Sequence, residues 1–348
     1  MTFNGLPPEP LISPQALRDR YPLDAAGQAR LQGQRDAIRA ILDGQDDRLL
    51  VIMGPCSIHD VDAAREYGQK LAEAARRHQD ELLVVMRVYF EKPRTRHGWK
   101  GLIYDPNLDG RFDINQGLND ARALLRDLHQ MGLPVATEFL DMVTGHYLID
   151  LISWGAIGAR TTESQVHRAL ASGLPCPVGF KNGTDGNIRI AVDAIRAAAD
   201  AHVLLIPNGD GQLEAAQTSG NPHAHLILRG GAEPNYGAQS VQAACGQLRH
   251  AALPERVIID FSHGNSRKDH QRQLEVADDV CGQLAAGESR IKGIMAESFL
   301  LAGNQPEGPR ESLIYGKSIT DACLDWASSE TLLARLAEAI KTRRRNSL

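Results

Sequence analysis

LLVIMGPCSIHDVDAAREYGQKLAEAARRHQDELLVVMRVYF (49–90) decides the fold. It holds two short β-branched runs, LLVIMGPCS (49–57) and LLVVMRVYF (82–90), around DAAREYGQKLAEAARRH (62–78), whose apolar residues recur at i, i+3 and i+4. Near-continuous apolar strands joined through an amphipathic helix belong to a parallel sheet covered on both faces. Six further runs follow: VATEFL (135–140), AIGAR (156–160), PVGFKN (177–182), HLILRGG (225–231), RVIIDFSH (256–263) and IKGIMAES (291–298). Helical patterns such as LNDARALLRDLHQMG and NIRIAVDAIRAAADA lie between most of them. Eight strands favour closure into an α/β (β/α)8 barrel over an open sheet.

Two segments fall outside a plain barrel. Residues 1–45 read as an extension: a Pro-rich start, then a helical stretch, AAGQARLQGQRDAIRAIL. VLLIPNGDGQLEAAQTS (203–219) reads as a β-hairpin inserted before the sixth strand, turning at Asn208–Gly211. The expected organisation is therefore an extension over 1–45 and a catalytic barrel over 46–348 that includes the hairpin.

Composition limits the partners. The 348 residues carry 38 Lys+Arg against 43 Asp+Glu, a net charge of −5. A mildly acidic chain is a poor candidate for duplex nucleic acid or an anionic membrane surface, whereas a local cationic cluster can still bind a small anion. Five scattered cysteines without a C-x-x-C pair suit a reducing cytosol. The first residues lack a basic segment leading into an apolar run, and no stretch reaches the 18 or so apolar residues of a membrane span, so a cytoplasmic location is expected. Other motifs fail: YGKSIT (315–320) has Glu311 where a P-loop needs glycine, and no G-x-G-x-x-G, H-E-x-x-H or G-x-S-x-G is present.

In such barrels the active site forms at the C-terminal ends of the strands. Read in order, those ends carry Cys56, Arg87, Glu138, Arg160, Lys181, Arg229, His263 and Glu297. A lone arginine is usually on the surface and a lone cysteine usually in the core; eight such residues in register argue for a site. Arg87, Arg160, Lys181 and Arg229, with Lys92 just beyond the second strand, form a cationic funnel for phosphate and carboxylate groups. Cys56, His263 and Glu297, with Asp321, offer a thiolate, an imidazole and two carboxylates. That set suits one borderline divalent ion (Mn, Fe, Co or Zn, with Mn favoured) rather than Mg or Ca.

YFEKPRTRHGWKG (89–101), with GPCSIHD (54–60), TEFLDM (137–142), SWGAIGARTTESQ (153–165), PVGFKNGTDG (177–186), ILRGG (227–231), IIDFSHGNS (258–266), MAESF (295–299) and YGKSITDAC (315–323), resembles the type I 3-deoxy-D-arabino-heptulosonate 7-phosphate (DAHP) synthases. The resemblance implies condensation of phosphoenolpyruvate, erythrose 4-phosphate and water to DAHP and phosphate, the first step of the shikimate pathway. It implies metal ligands at Cys56, His263, Glu297 and Asp321. Phosphoenolpyruvate contacts would fall on Arg87, Lys92, Glu138, Ala159, Arg160, Lys181 and Arg229. Erythrose 4-phosphate contacts would fall on Lys92, Pro93, Arg94 and Thr95, with Asp321 beside them. Lys92 is the expected general acid, and Glu138 a candidate for orienting the water. Cys56 and His263 enter the chemistry through the metal.

Gly145, the 203–219 hairpin and MAESF are most similar to the tryptophan-sensitive branch, which implies tryptophan as effector. Pro175 and Ile206 stand where regulated members usually carry serine, so an unregulated enzyme is the competing reading. The family's N-terminal extension packs on a neighbouring subunit, which implies a homodimer or homotetramer. Two other functions compete. A sister synthase would take a different aldose phosphate, against the K-P-R-T motif, and a non-catalytic amino-acid sensor would have decayed ligand positions.

Overall fold

The computed structural model describes residues 9–94 and 97–346. Helices α1 (Pro14–Arg20) and α2 (Ala25–Asp43) precede β1 (Leu49–Gly54), α3 (Val61–Arg77), β2 (Leu82–Arg87), α4 (Ile114–Gln130) and β3 (Val135–Glu138). Two 3₁₀ turns, Thr144–Tyr147 and Ile149–Leu151, then replace a crossover helix. The chain continues through β4 (Trp154–Ile157), α5 (Gln165–Gly173), β5 (Val178–Lys181) and α6 (Arg189–Ala199) to the hairpin β6 (Val203–Pro207) and β7 (Leu213–Gln217). β8 (His225–Leu228), α7 (Ala238–His250), β9 (Val257–Asp260), α8 (Arg272–Ala285), β10 (Ile291–Glu297) and α9 (Trp326–Asn346) complete it.

Eight parallel strands close in the order β1-β10-β9-β8-β5-β4-β3-β2, and β6 pairs with β7 antiparallel outside the barrel. The (β/α)8 barrel and the hairpin before its sixth strand are as the sequence predicts. The fourth strand differs in detail. It starts at Trp154, two residues before the predicted run, and ends at Ile157, because Gly158 already turns toward the mouth.

Helix starts follow local chemistry. Asp60 accepts from the backbone N–H groups of Asp62 and Ala63 at 3.0 and 3.1 Å, satisfying donors that the first turn of α3 leaves open. Asp24 does the same for α2 through Gly27 at 2.6 Å. That helix ends at Gly44, whose φ of 75° lies in the left-handed region that glycine adopts without strain.

Inside the barrel the alternate residues Leu50, Ile52, Val85, Ala136, Trp154, Ala156, Ile227, Ile258 and Met295 pack into one buried cluster. Ile38, Ile41 and Leu42 of α2 belong to the same cluster, so α2 closes the floor of its own barrel. Each fully buried aliphatic side chain there adds roughly 1.5–3 kcal/mol of transfer free energy. Arg35, one turn earlier on α2, donates to the carbonyls of Ile149 and Ile152 and ties the helix to the second 3₁₀ turn. The floor is sealed, so the open end is the mouth. Among the described residues no helix is long and apolar enough to cross a membrane.

Candidate active site

The mouth holds a cavity of about 370 Å³. Among the described residues, seven cationic side chains line it (Arg87, Lys92, Arg94, Arg160, Lys181, Arg229 and Lys268) against two carboxylates, Glu138 and Asp321. Such an excess in a partly closed cavity suits multiply charged anions. Of the residues expected at phosphoenolpyruvate, Arg87, Lys92, Glu138, Ala159, Arg160, Lys181 and Arg229 all line this cavity. So do Lys92, Pro93, Arg94 and Asp321 from the erythrose 4-phosphate set, while Thr95 lies outside the described residues. Another cavity, of about 480 Å³, lies beneath the barrel, where Arg48 and Arg344 are already paired with Asp46 and Asp47.

Several groups are already committed. Arg87 is buried; it donates to the Pro55 and Cys56 carbonyls at 3.1 Å each and to Glu297 at 2.9 Å, and its guanidinium stacks 3.6 Å over the Tyr89 ring. Arg94 is paired with Glu307 and donates to the Trp99 carbonyl at 2.8 Å. An anion taking Arg94 must therefore displace Glu307. Gly158 gives Glu138 its place, since a Cβ there would stand 2.2 Å from the Glu138 Oε1.

Where Asp321 meets the buried Cys56 and Glu297, ligand atoms of the three lie within 4.8 Å of one another. His263 is the outer member: its Nε2 stands 3.9 Å from Glu297 Oε1. One thiol and two carboxylates gathered in this way, with an imidazole beside one of them, are a donor set that fits a borderline divalent ion. Lys92 Nζ approaches Cys56 Sγ to 3.0 Å from the cavity side. Burial, with Glu297 beside it, pushes the Cys56 thiol up to about 11, although Lys92 pulls the other way. A bound cation reverses that balance, because a coordinating thiol is held as the thiolate. For Asp321, burial would raise the pKa, but Lys92 and His263 hold the carboxyl below its ordinary value.

Two residues escaped the sequence reading. Asp260, the last residue of β9, is buried, 3.0 Å from both Lys181 Nζ and His263 Nδ1. Burial alone would raise its pKa, yet Lys181 and His263 hold it well below the usual carboxylate range. A lone acid closing the apolar strand VIID, three positions before a ligand-type histidine, was the available signal. Lys268 sits in the polar run SRKDH, which reads as a solvated loop; only the fold-back of that loop, with Arg267 and Lys268 at φ of 52° and 63°, turns it toward the cavity.

The regulatory expectations gather elsewhere. A cavity of about 430 Å³ lies between α5, the hairpin and the 3₁₀ turns, lined by His146, Ile149, Leu170, Leu174 and Ile206 among others. Gly145 adjoins it but packs against Phe139. Pro175 follows Leu174, and its carbonyl accepts from Arg39 of α2 at 2.6 Å, so it does not itself line the cavity.

Comparison with known proteins agrees with this geometry. The sequence profile of the DAHP synthetase I family matches residues 24–334. The tryptophan-sensitive phospho-2-dehydro-3-deoxyheptonate aldolase of Salmonella typhimurium is 56% identical over 333 residues, covering 96% of each chain. The enzyme of the same description from Escherichia coli is 56% identical over 335 residues, again 96% of each. A solved phospho-2-dehydro-3-deoxyheptonate aldolase from Francisella tularensis superposes with a TM-score of 0.95 at 47% identity, over 98% of this chain and 99% of that one. With its strand-end constellation, its closed barrel and matches that span nearly the whole chain, the protein belongs to the DAHP synthetase I family.

Proposed function

We propose that the chain condenses phosphoenolpyruvate with erythrose 4-phosphate and water, giving DAHP and inorganic phosphate. The observation that carries this reading is the junction of two anion-holding regions over a ligand cluster, with Lys92 at the join. A divalent ion held by Cys56, His263, Glu297 and Asp321 would supply Lewis-acid polarisation of the aldehyde.

The chain's own residues do the rest. Arg160, Lys181 and Arg229 hold the phosphate and carboxylate of phosphoenolpyruvate, with Arg87 fixed behind them. Arg94, once released from Glu307, takes the phosphate of the aldose, and Thr95 joins it in the K-P-R-T motif. Carbon 3 of phosphoenolpyruvate forms a bond to the aldehyde carbon, and Lys92 donates a proton to the developing alkoxide. Water, oriented by Glu138, adds to carbon 2; one of its protons restores Lys92 and the other leaves with the phosphate as the C–O bond breaks and the ketone forms. Mass and charge balance without a redox partner.

Tryptophan is the proposed effector, bound in the 430 Å³ cavity beside Ile206. Support comes from the apolar lining and from the tryptophan sensitivity in the names of the relatives. A homodimer or homotetramer in the cytosol is the proposed assembly. The hairpin supports it by exposing Val203, Leu205 and Leu213 on one outer face.

The test is a steady-state assay of purified, metal-loaded protein with phosphoenolpyruvate and a panel of aldose phosphates. Erythrose 4-phosphate should be the best acceptor, with phosphate released one-for-one and activity lost on chelation. Turnover with arabinose 5-phosphate in preference, or none with any aldose, overturns the reading.

A further inference from the structure

Asp260 serves two neighbours with a single oxygen. Its Oδ2 lies 3.0 Å from Lys181 Nζ and 3.0 Å from His263 Nδ1. The other oxygen, Oδ1, accepts from the Ser262 backbone N–H at 3.0 Å and from its hydroxyl at 2.6 Å. Those two donors fix the carboxylate and leave only Oδ2 to be divided.

The same contacts set the tautomer of His263. The Ser262 hydroxyl spends its proton on Asp260, so its oxygen, 2.8 Å from His263 Nδ1, faces the ring as an acceptor. Two acceptors around Nδ1 place the ring proton there and leave the Nε2 lone pair on the Glu297 side. The backbone of His263, at φ 58°, is in the left-handed region that non-glycine residues seldom adopt, so its surroundings hold the ring in place.

We propose that Asp260 is a positioning residue that couples metal binding to phosphoenolpyruvate binding through its shared oxygen. A cation on Nε2 polarises the imidazole, strengthens the Nδ1–H bond to Oδ2 and draws that oxygen's charge away from Lys181. The ammonium is then less neutralised and turns toward an anionic substrate. In reverse, a substrate that takes Lys181 leaves Oδ2 to His263 and makes the imidazole a better ligand. Linkage makes the two effects equal in size. The inference rests on the assignment of Lys181 to phosphoenolpyruvate and His263 to the metal made above.

Calorimetric titration of metal-stripped protein with Mn²⁺, with and without saturating phosphoenolpyruvate and with no aldose present, reads the coupling without turnover. In the wild type, phosphoenolpyruvate should tighten Mn²⁺ binding by about 5–150-fold. Asp260→Asn keeps the shape and removes the charge; Mn²⁺ affinity should fall about 10–100-fold and the coupling factor should approach one. Ser262→Ala removes the brace on Oδ1 but not the shared oxygen, so coupling should survive. Should Asp260→Asn not fold, ¹⁵N-histidine NMR of the wild type decides. His263 should carry its proton on Nδ1, and that signal should move when phosphoenolpyruvate is added without metal. A wild type without coupling, an Asp260→Asn variant with coupling intact, or His263 protonated at Nε2 in the metal-free protein overturns the proposal. An inactive protein that still couples the two ligands would defeat the proposed reaction and spare this inference; an active one without coupling would do the opposite.

Discussion

Lys92 is the residue on which the proposed chemistry turns. It stands 3.0 Å from the Cys56 sulfur and reaches into the cavity between the two anion-holding groups. If it donates the proton in the transition state, Lys92→Met should lower kcat by roughly 10²–10⁴ while phosphoenolpyruvate still binds. A variant with unchanged kcat and only a raised KM would reduce Lys92 to a binding group. Cys56→Ala should remove the soft ligand, abolish metal-dependent turnover and leave the thermal transition near that of the wild type; full activity in that variant would exclude the thiol from the metal site. Gly158 makes a subtler point. A methyl there would stand 2.2 Å from the Glu138 Oε1, so Gly158→Ala should push the carboxylate aside and cut kcat while the far-UV spectrum stays the same. Cys56 and Glu138 were legible in the sequence because each closes a run that is otherwise apolar, and Lys92 because it lies just beyond one. Asp260 was missed although it closes its own apolar run three positions before His263, because its pairing with Lys181 comes from another strand; Lys268 was missed because only the fold-back of its loop turns it toward the cavity.

Between elements, a hydrogen bond joins the proposed effector region to the segment that carries Lys92. Thr144, at the start of the first 3₁₀ turn, donates to the Glu91 carboxylate at 3.1 Å. Glu91 precedes Lys92, and Thr144 lies two residues from His146, which lines the 430 Å³ cavity. The other Glu91 oxygen is buried with no partner among the described residues, and burial pushes the carboxyl up to about 8, so at neutral pH it is largely a neutral acid. If tryptophan shifts the turn, this bond is how the loop learns of it. Thr144→Val should keep the uninhibited rate and blunt inhibition by millimolar tryptophan, with phenylalanine and tyrosine weaker in both proteins. Inhibition of equal depth in the variant would place the route elsewhere. The hairpin was plain from its Asn-Gly-Asp-Gly turn between apolar runs, but the role of α2 was not. An amphipathic pattern shows that a helix buries one face, not which surface receives it, and here it is the floor of the chain's own barrel.

For the whole molecule, acid is the sharpest probe. His225 is buried beneath the barrel, donating from Nδ1 to the His223 carbonyl at 2.8 Å and accepting from the Trp154 indole at 3.1 Å. Burial pushes its pKa down from the ordinary 6.5 to about 3, so the native state keeps it neutral. Between those values the unfolded chain takes up a proton that the folded chain refuses. Stability should therefore be independent of this residue above pH 6.5 and fall as pH drops below it, by up to about 1.4 kcal/mol per pH unit. Urea unfolding at a series of pH values checks the slope, and His225→Gln, which can still accept from Trp154, should flatten it; an unchanged slope would point to other groups. The helix under the barrel has a wider consequence. Because it seals one end and the groups of the candidate site stand at the other, a designer can repack the lower half for shelf life and leave the catalyst's tuning alone. The familiar exchange of robustness against speed is here divided along a single axis.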